Sequence, residues 1–305
     1  MRLGIDLTSP LARLIEWAAL PFGFEVELLP PDAKTEGFDL LFRFSPDAFA
    51  GDPAAFPGER ALALGQDLLL QKRLFRAIGA PTPPFGRVRN PAEWEALARV
   101  HGLPARLLTR RGEFVFLGEK REIEELPEGV YVYERAYPYA AEILVLAAKG
   151  EGETACAVAE RRGRAYVYPY RLEEEVRNRL CRKVEELFLA LGHKGGLELR
   201  AGLLEGEALF LDFVPYPTAR SLFLPEFAPA YLRGALGYAL PEFSPGPSAV
   251  IPLPLERARE FPFAHPFVLD RPYARVSAPD EGTLSKRLEL LEGGPKPPGQ
   301  GAGEV

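Results

Sequence analysis

Apolar positions along this chain mark out its elements one after another. Leu3 to Leu7 is a short apolar run; Ser9 can cap, Pro10 suits a first helical turn, and Leu11, Leu14, Ile15 and Ala18 then recur at helical spacing. Phe24 to Leu28 and Phe38 to Phe44 add two more short apolar runs. Strands alternating with a helix in this way predict a small parallel α/β unit that ends in the loop-rich stretch from Ser45 to Pro57, with a boundary near Gly65.

Gln66 to Ile78 reads as a helix closed by Gly79, after which Pro81, Pro83 and Pro84 stop continuation. Asn90 caps a second helix, with Pro91 in its first turn, Glu93 at the capping-box position and Gly102 beyond its end. From Pro104 the pattern changes to strands: Ala105 to Thr109, Phe114 to Leu117, Val130 to Tyr137, Glu142 to Ala148, Thr154 to Glu160 and Ala165 to Tyr168. Short glycine or charged turns separate them, which predicts a mostly antiparallel sheet. Leu172 to Leu191 interrupts with a long amphipathic helix carrying Val176, Leu180, Val184, Leu187 and Leu191 on one side, and two more strands surround Glu205-Gly206. The distal part from Ser248 predicts a proline-rich segment, a strand over Tyr273 to Ser277 and a helix over Glu281 to Leu291, followed by a Gly/Pro-rich tail.

Composition narrows the function classes. With 47% hydrophobic residues over 305, the chain can bury a large core and is long enough for two or three modules. A net charge of -6 gives no overall cationic field, so nucleic acid and anionic lipid are not expected partners. Met1 to Asp6 carries no basic stretch leading into a long apolar one, and no apolar run approaches the ~20 residues of a membrane span, so a soluble cytoplasmic protein is the expectation. Cys156 and Cys181 fall in a predicted strand and a predicted helix without ligand-like neighbours and read as buried thiols. His101, His193 and His265 lack the spacing of a zinc site or a triad, and Lys194-Gly195-Gly196 precedes a strand rather than opening a helix, which excludes a P-loop.

One stretch is more specific. Gln66-Asp67-Leu68-Leu69-Leu70-Gln71-Lys72-Arg73-Leu74-Phe75, with Ile78-Gly79-Ala80-Pro81-Thr82-Pro83-Pro84, resembles the helix and proline-rich segment that lead into the ATP-grasp region of the phosphoribosylaminoimidazole carboxylase ATPase subunits, also called N5-carboxyaminoimidazole ribonucleotide synthetases. Gly4 to Gly23 and Val250 to Leu255 resemble further parts of that family. The resemblance runs to about residue 291 and implies an α/β (α+β) ATP-grasp fold. Residues 1–65 would form an N-terminal parallel α/β domain, 66–243 the ATP-grasp domain, 244–292 a small C-terminal domain and 293–305 a disordered tail. It implies ATP and Mg²⁺ as cofactors, a small-molecule nucleotide as partner, a homodimer, and a carboxylate–amine ligase that makes carboxyphosphate and carboxylates aminoimidazole ribonucleotide.

The resemblance also distributes roles. The family's phosphate-gripping lysine position holds Leu108, and its glycine-rich hairpin is replaced by Glu113, Phe114, Val115, Phe116 and Leu117. Arg106, Arg110 and Arg111 could stand in as phosphate donors, although charged residues beside a turn are more often simply solvated. Tyr131-Val132-Tyr133-Glu134-Arg135 resembles the hinge strand and Glu142 the ribose-binding glutamate; an alternating sheet carries such charges on its wet face too. Glu198 and Asp212 resemble the two metal ligands, a pair of acids equally common on a metal-free hairpin. Arg271 and Arg275 match the substrate-phosphate stretch or are surface charges. Two outcomes follow: a ligase with lost or altered activity, or a non-catalytic relative that binds a nucleotide or a protein.

Overall fold

The computed structural model describes residues 1–7, 12–44, 47–120, 125–126, 128–224, 226–243, 246–268 and 272–292. The expectations placed on Ser9, Pro10, Leu11, Arg271 and the 293–305 tail lie outside the described residues.

Strands β1 (Arg2–Asp6), β2 (Glu25–Leu29), β3 (Leu40–Phe42) and β4 (Ala55–Phe56) form the parallel sheet expected at the start, in the order β2-β1-β3-β4. Helix α1 (Ala12–Ala19) covers it, and Ile15 and Ala18 are buried against Leu3 and Ile5 because the helical period puts them on one stripe. Two helices follow, α2 (Glu59–Gly65) and α3 (Leu68–Ala77), the latter capped by Asp67, whose side chain accepts from the Leu69 and Leu70 amides.

The strands after α3 were expected as one antiparallel sheet, but they divide into two. Strands β5 (Phe85–Val88), β6 (Ala105–Thr109), β7 (Phe114–Gly118) and β8 (Tyr131–Arg135) make a four-stranded antiparallel sheet, order β5-β8-β6-β7, with helix α4 (Pro91–His101) against it. Gly118 is required there: a Cβ would stand 2.2 Å from Cζ2 of the fully buried Trp94. After β8 the chain leaves this sheet. Pro138 has no N–H to continue a ladder, the Ala136 amide still reaches back to the Pro104 carbonyl, and the Ala140 amide already pairs with Leu203.

Beyond that crossing, β9 (Ala141–Lys149), β10 (Thr154–Arg162) and β11 (Ala165–Tyr168) precede helix α5 (Glu174–Leu191) and the hairpin β12 (Gly195–Leu204) and β13 (Glu207–Val214). The α5 residues Val176, Leu180, Val184, Leu187 and Leu191 are buried as their spacing requires, and Gly192 closes the helix at φ 61°. Helix α6 (Phe227–Leu236), β14 (Ser248–Pro252), α7 (Leu255–Arg259), β15 (Ala264–Val268), β16 (Pro272–Ser277) and α8 (Glu281–Glu292) complete the chain. The distal strands join the same sheet through β11 and β14, giving eight strands in the order β13-β12-β9-β10-β11-β14-β16-β15. The expected proline-rich segment therefore contributes two strands, β14 and β15, with the short α7 between them, and α6 packs on β9 and β12 while Tyr231 and Leu232 join the core around β1. Cys156 and Cys181, distant in sequence, are neighbouring free thiols between β10 and α5.

Candidate functional site

Helix α3 places the first charged group. Leu68, Leu69, Lys72 and Phe75 are all buried, so a lysine sits on the apolar stripe of this helix. Its ammonium has three protons, and three oxygens surround it: Glu134 Oε2 at 2.5 Å, Phe210 O at 3.1 Å and Thr82 Oγ1 at 3.2 Å. Burial pushes Lys72 below its ordinary range, and the Glu134 carboxylate opposes that. The neighbouring Gln71 is also committed, since its amide donates to Gly65 O and Phe213 O and accepts from the Phe213 amide at 2.9 Å. The most distinctive sequence stretch thus clamps α3 onto β13.

From Glu134 a line of alternating charges crosses to the large sheet. Arg106 and Glu134 face each other across β6 and β8, at 3.9 Å between Nη1 and Oε1. Arg106 Nη2 lies 3.4 Å from Glu142 Oε1 at the start of β9, and Arg161 Nη1 of β10 lies 2.7 Å from Glu142 Oε2. Burial alone would raise Glu142, but Arg161 and then Arg106 hold it below its ordinary value.

The β12–β13 hairpin carries the two expected metal ligands, and neither is free. Asp212 stands opposite Arg200, whose Nε donates to Oδ1 at 2.7 Å and Oδ2 at 2.9 Å while Nη2 also donates to Oδ2. Burial would raise Asp212; Arg200, foremost among its cationic neighbours, takes it below its usual range. Glu198 pairs across the ladder with Val214 instead, is 1% exposed, and accepts from the Thr218 amide and, at 2.7 Å, from the Thr218 hydroxyl. Burial raises its pKa, with Arg220 acting in opposition. Among the described residues no three His, Cys, Asp or Glu side chains come together as a metal-binding group. Two carboxylates whose oxygens already hold Arg200 and Thr218 do not fit Mg²⁺, which takes near-ideal octahedral oxygen coordination.

Glu198 gives a pH prediction. A carboxyl whose folded pKa is raised favours folding below its unfolded value near 4.5 and loses that contribution as pH rises through the folded value. Glu198→Gln keeps an acceptor for the Thr218 amide, so urea midpoints of the variant are expected to match wild type at pH 4 and exceed it at pH 8. A lower midpoint at pH 8 would show that the ionised form is the stabilising one.

The other predicted residues scatter. Leu108 is buried among Leu68, Leu69, Phe85 and Val132, and β7 runs as an edge strand with Phe114 and Leu117 exposed. Arg110 pairs with Asp67 beside the α3 cap, and Arg135 donates to Pro104 O at 3.1 Å. Arg275 lies on β16 opposite Val250, with its Nε buried and without a hydrogen-bond partner among the described residues.

Arg161, Arg164, Arg200 and Arg220, unassigned in the sequence, share a pocket of about 260 Å³ where β10, β11, β12, β14 and β16 and the turn after Thr218 meet, with Tyr166 and Tyr273 in its wall. Other clefts of about 220 Å³ beside α5 and about 350 Å³ beside Cys156 contain none of the predicted site residues. One signal for Arg200 was available: it lies two residues after Glu198 and so on the same face of the strand.

No family model matches the chain. Over an alignment of 141 residues that covers 43% of this chain, it is 30% identical to the N5-carboxyaminoimidazole ribonucleotide synthase of Pseudomonas aeruginosa, and the match spans 36% of that relative, about a third of its length. The solved N5-carboxyaminoimidazole ribonucleotide synthetase from Thermus thermophilus superposes over 96% of this chain and 98% of its own, at a TM-score of 0.80 and 23% identity. The fold is the ATP-grasp fold of the N5-carboxyaminoimidazole ribonucleotide synthetases. The Aspergillus clavatus carboxyaminoimidazole ribonucleotide synthase, solved with ATP, shares it at a TM-score of 0.78 over 95% of this chain and 97% of its own, with 16% identity. Among the described residues no helix is long and apolar enough to cross a membrane.

Proposed function

We propose that this chain is a divergent ATP-grasp protein, related to the carboxylate–amine ligases of purine biosynthesis, that binds a nucleotide and has lost the ancestral carboxylation. Its domains divide at about 65 and 243. The observation that carries the binding half is the arginine-lined pocket, which lies on the sheet beside Glu142 and the hairpin of Glu198 and Asp212. Guanidinium groups recognise phosphate through paired N–H donors. The Aspergillus clavatus relative solved with ATP supports a nucleotide rather than a simple anion.

Groups already engaged elsewhere in the protein support the loss of turnover. Phosphoryl transfer requires cations that bear on the transferred group and a cover that excludes water. Lys72 has its protons engaged inside the protein, Leu108 is apolar, and β7 is paired along β6 as an ordinary edge strand. Two measurements test the two halves. Calorimetric titration with ADP is expected to show binding, and no heat from any adenine nucleotide would remove the binding half. In an assay with ATP, Mg²⁺, bicarbonate and aminoimidazole ribonucleotide, ADP release is expected to stay at the protein-free level. Turnover of ~1 s⁻¹ or more, an ordinary enzymatic rate, would remove the other half.

A further inference from the structure

The arginine pocket differs from a metal-assisted phosphate site in what neutralises its carboxylates. Arg200 covers both oxygens of Asp212 through Nε and Nη2, which leaves Nη1 for a ligand. Arg161 is held by Glu142 at 2.7 Å, so its guanidinium is fixed as well. Arg164 and Arg220 line the same pocket, and their guanidinium groups make no hydrogen bond or ion pair among the described residues. Among the described residues no carboxylate lines the pocket, and Arg220 is close enough to favour the ionised forms of both Glu198 and Asp212. A dication entering here would meet the uncompensated guanidinium charges of Arg164 and Arg220 and no lining carboxylate; an anion would meet fixed and unpaired donors.

We propose that the phosphate groups of the ligand bind directly to Arg161, Arg164, Arg200 and Arg220, with the Arg200–Asp212 pair standing where a divalent cation would, so that binding needs no metal. The arrangement gives the pocket a permanent positive charge that no chelator removes. Asp212 serves to orient Arg200 and does not ligate a metal. The aromatic and apolar wall of Tyr166, Tyr273 and Val250 leaves a less polar side for the rest of a nucleotide.

This rests on the nucleotide reading above, and the experiment separates the two. ADP is titrated into the full chain in EDTA and again in excess Mg²⁺, with wild type, Arg220→Ala and Arg200→Met. Wild type is expected to bind equally well or better in EDTA. Arg220→Ala removes a side chain without an ion pair and is expected to bind about tenfold more weakly, the loss of a charge-assisted hydrogen bond. Arg200→Met, checked for folding by circular dichroism, should weaken binding in EDTA by at least as much and recover part of it in Mg²⁺, because Asp212 is then uncovered. Binding of wild type only in Mg²⁺ would overturn this inference and leave the nucleotide reading intact. Metal-free binding that neither variant weakens would also overturn it, by placing the ligand elsewhere. No binding of ADP in either buffer would overturn both.

Discussion

Lys72→Met is expected to destabilise the protein by about 3–5 kcal/mol, because it leaves the Glu134 carboxylate buried without its partner. The side chains of Lys72 and Glu134 are 0% and 3% exposed, so water cannot replace what is removed. Arg106 stays 3.9 Å from Glu134 and moderates the loss, and the Thr82 hydroxyl still donates to Phe210 O at 2.8 Å. Lys72→Met combined with Glu134→Leu removes both charges and fills the same volume. A buried pair replaced by apolar groups is often neutral, so the double variant is expected to regain more than half of the single variant's loss. Urea unfolding of the three proteins decides it. A single variant within ~1 kcal/mol of wild type would mean that water reaches the carboxylate, while a double variant no better than the single would mean that Phe210 O, not Glu134, is the group left wanting. The second outcome would move the weight of the clamp from the ion pair to the backbone of β13.

That clamp was half legible. The stretch from Gln66 to Ile78 was readable as a helix and as the family's most specific segment, and the helix spans Leu68–Ala77. The role of its polar residues was not readable, because a lysine on a helix is ordinarily solvated. The signal lay in the period: position 72 follows Leu68 and Leu69 by four and three residues and precedes Phe75 by three, which puts a cation on the apolar stripe. The same logic applies to the hairpin. Glu198 and Asp212 were readable as two acids on adjoining strands, and their appearance there invited a metal. Their partners were not readable: cross-strand register faces Asp212 with Arg200 and Glu198 with Val214, and a bulge beside Arg200 shifts the ladder. No local pattern gives a register between strands with irregular pairing, so the partner of each carboxylate had to come from the fold.

The division of the strands shows the same limit at larger scale. Nearly every strand between Ala105 and Val214 was visible as an apolar run bounded by turns, but the run gives no address within a sheet. Pro138 is the local mark of the crossing from β8 to β9, and only long-range pairing, Ala140 with Leu203, tells which sheet the chain enters. The arginine pocket is the furthest from legibility. Its four arginines come from positions 161 to 220, and Val250 and Tyr273 reach it from the distal strands. A site assembled from β10, β11, β12, β14 and β16 has no spacing to recognise, and its residues read singly as surface charge.

Acidification is expected to destabilise this protein well above the pH at which most carboxylates titrate, and His193 is the cause. The imidazole is 4% exposed, stacked between Phe56 at 5.1 Å and Phe188 at 6.0 Å, with Nε2 3.1 Å from the Gly196 carbonyl. Burial lowers its pKa from 6.5 to about 4, against the pull of the Gly196 and Pro215 carbonyls. The folded state therefore holds a neutral ring where the unfolded chain binds a proton. The stability this contributes is fully present above pH 6.5 and is lost as pH falls towards 4, by about 3 kcal/mol in all. Roughly 2 kcal/mol of that should be gone by pH 5, before ordinary carboxylates protonate. Glu198 acts with the opposite sign, since its raised pKa makes acid favour the fold, so the two groups separate cleanly in variants. In His193→Gln the fall in urea midpoint between pH 7 and 5 is expected to flatten, whereas in Glu198→Gln it should steepen. A wild-type midpoint that stays level from pH 7 to 5, with no change in either variant, would show that His193 takes up its proton without unfolding. The two carbonyls at its nitrogens would then have outweighed the burial.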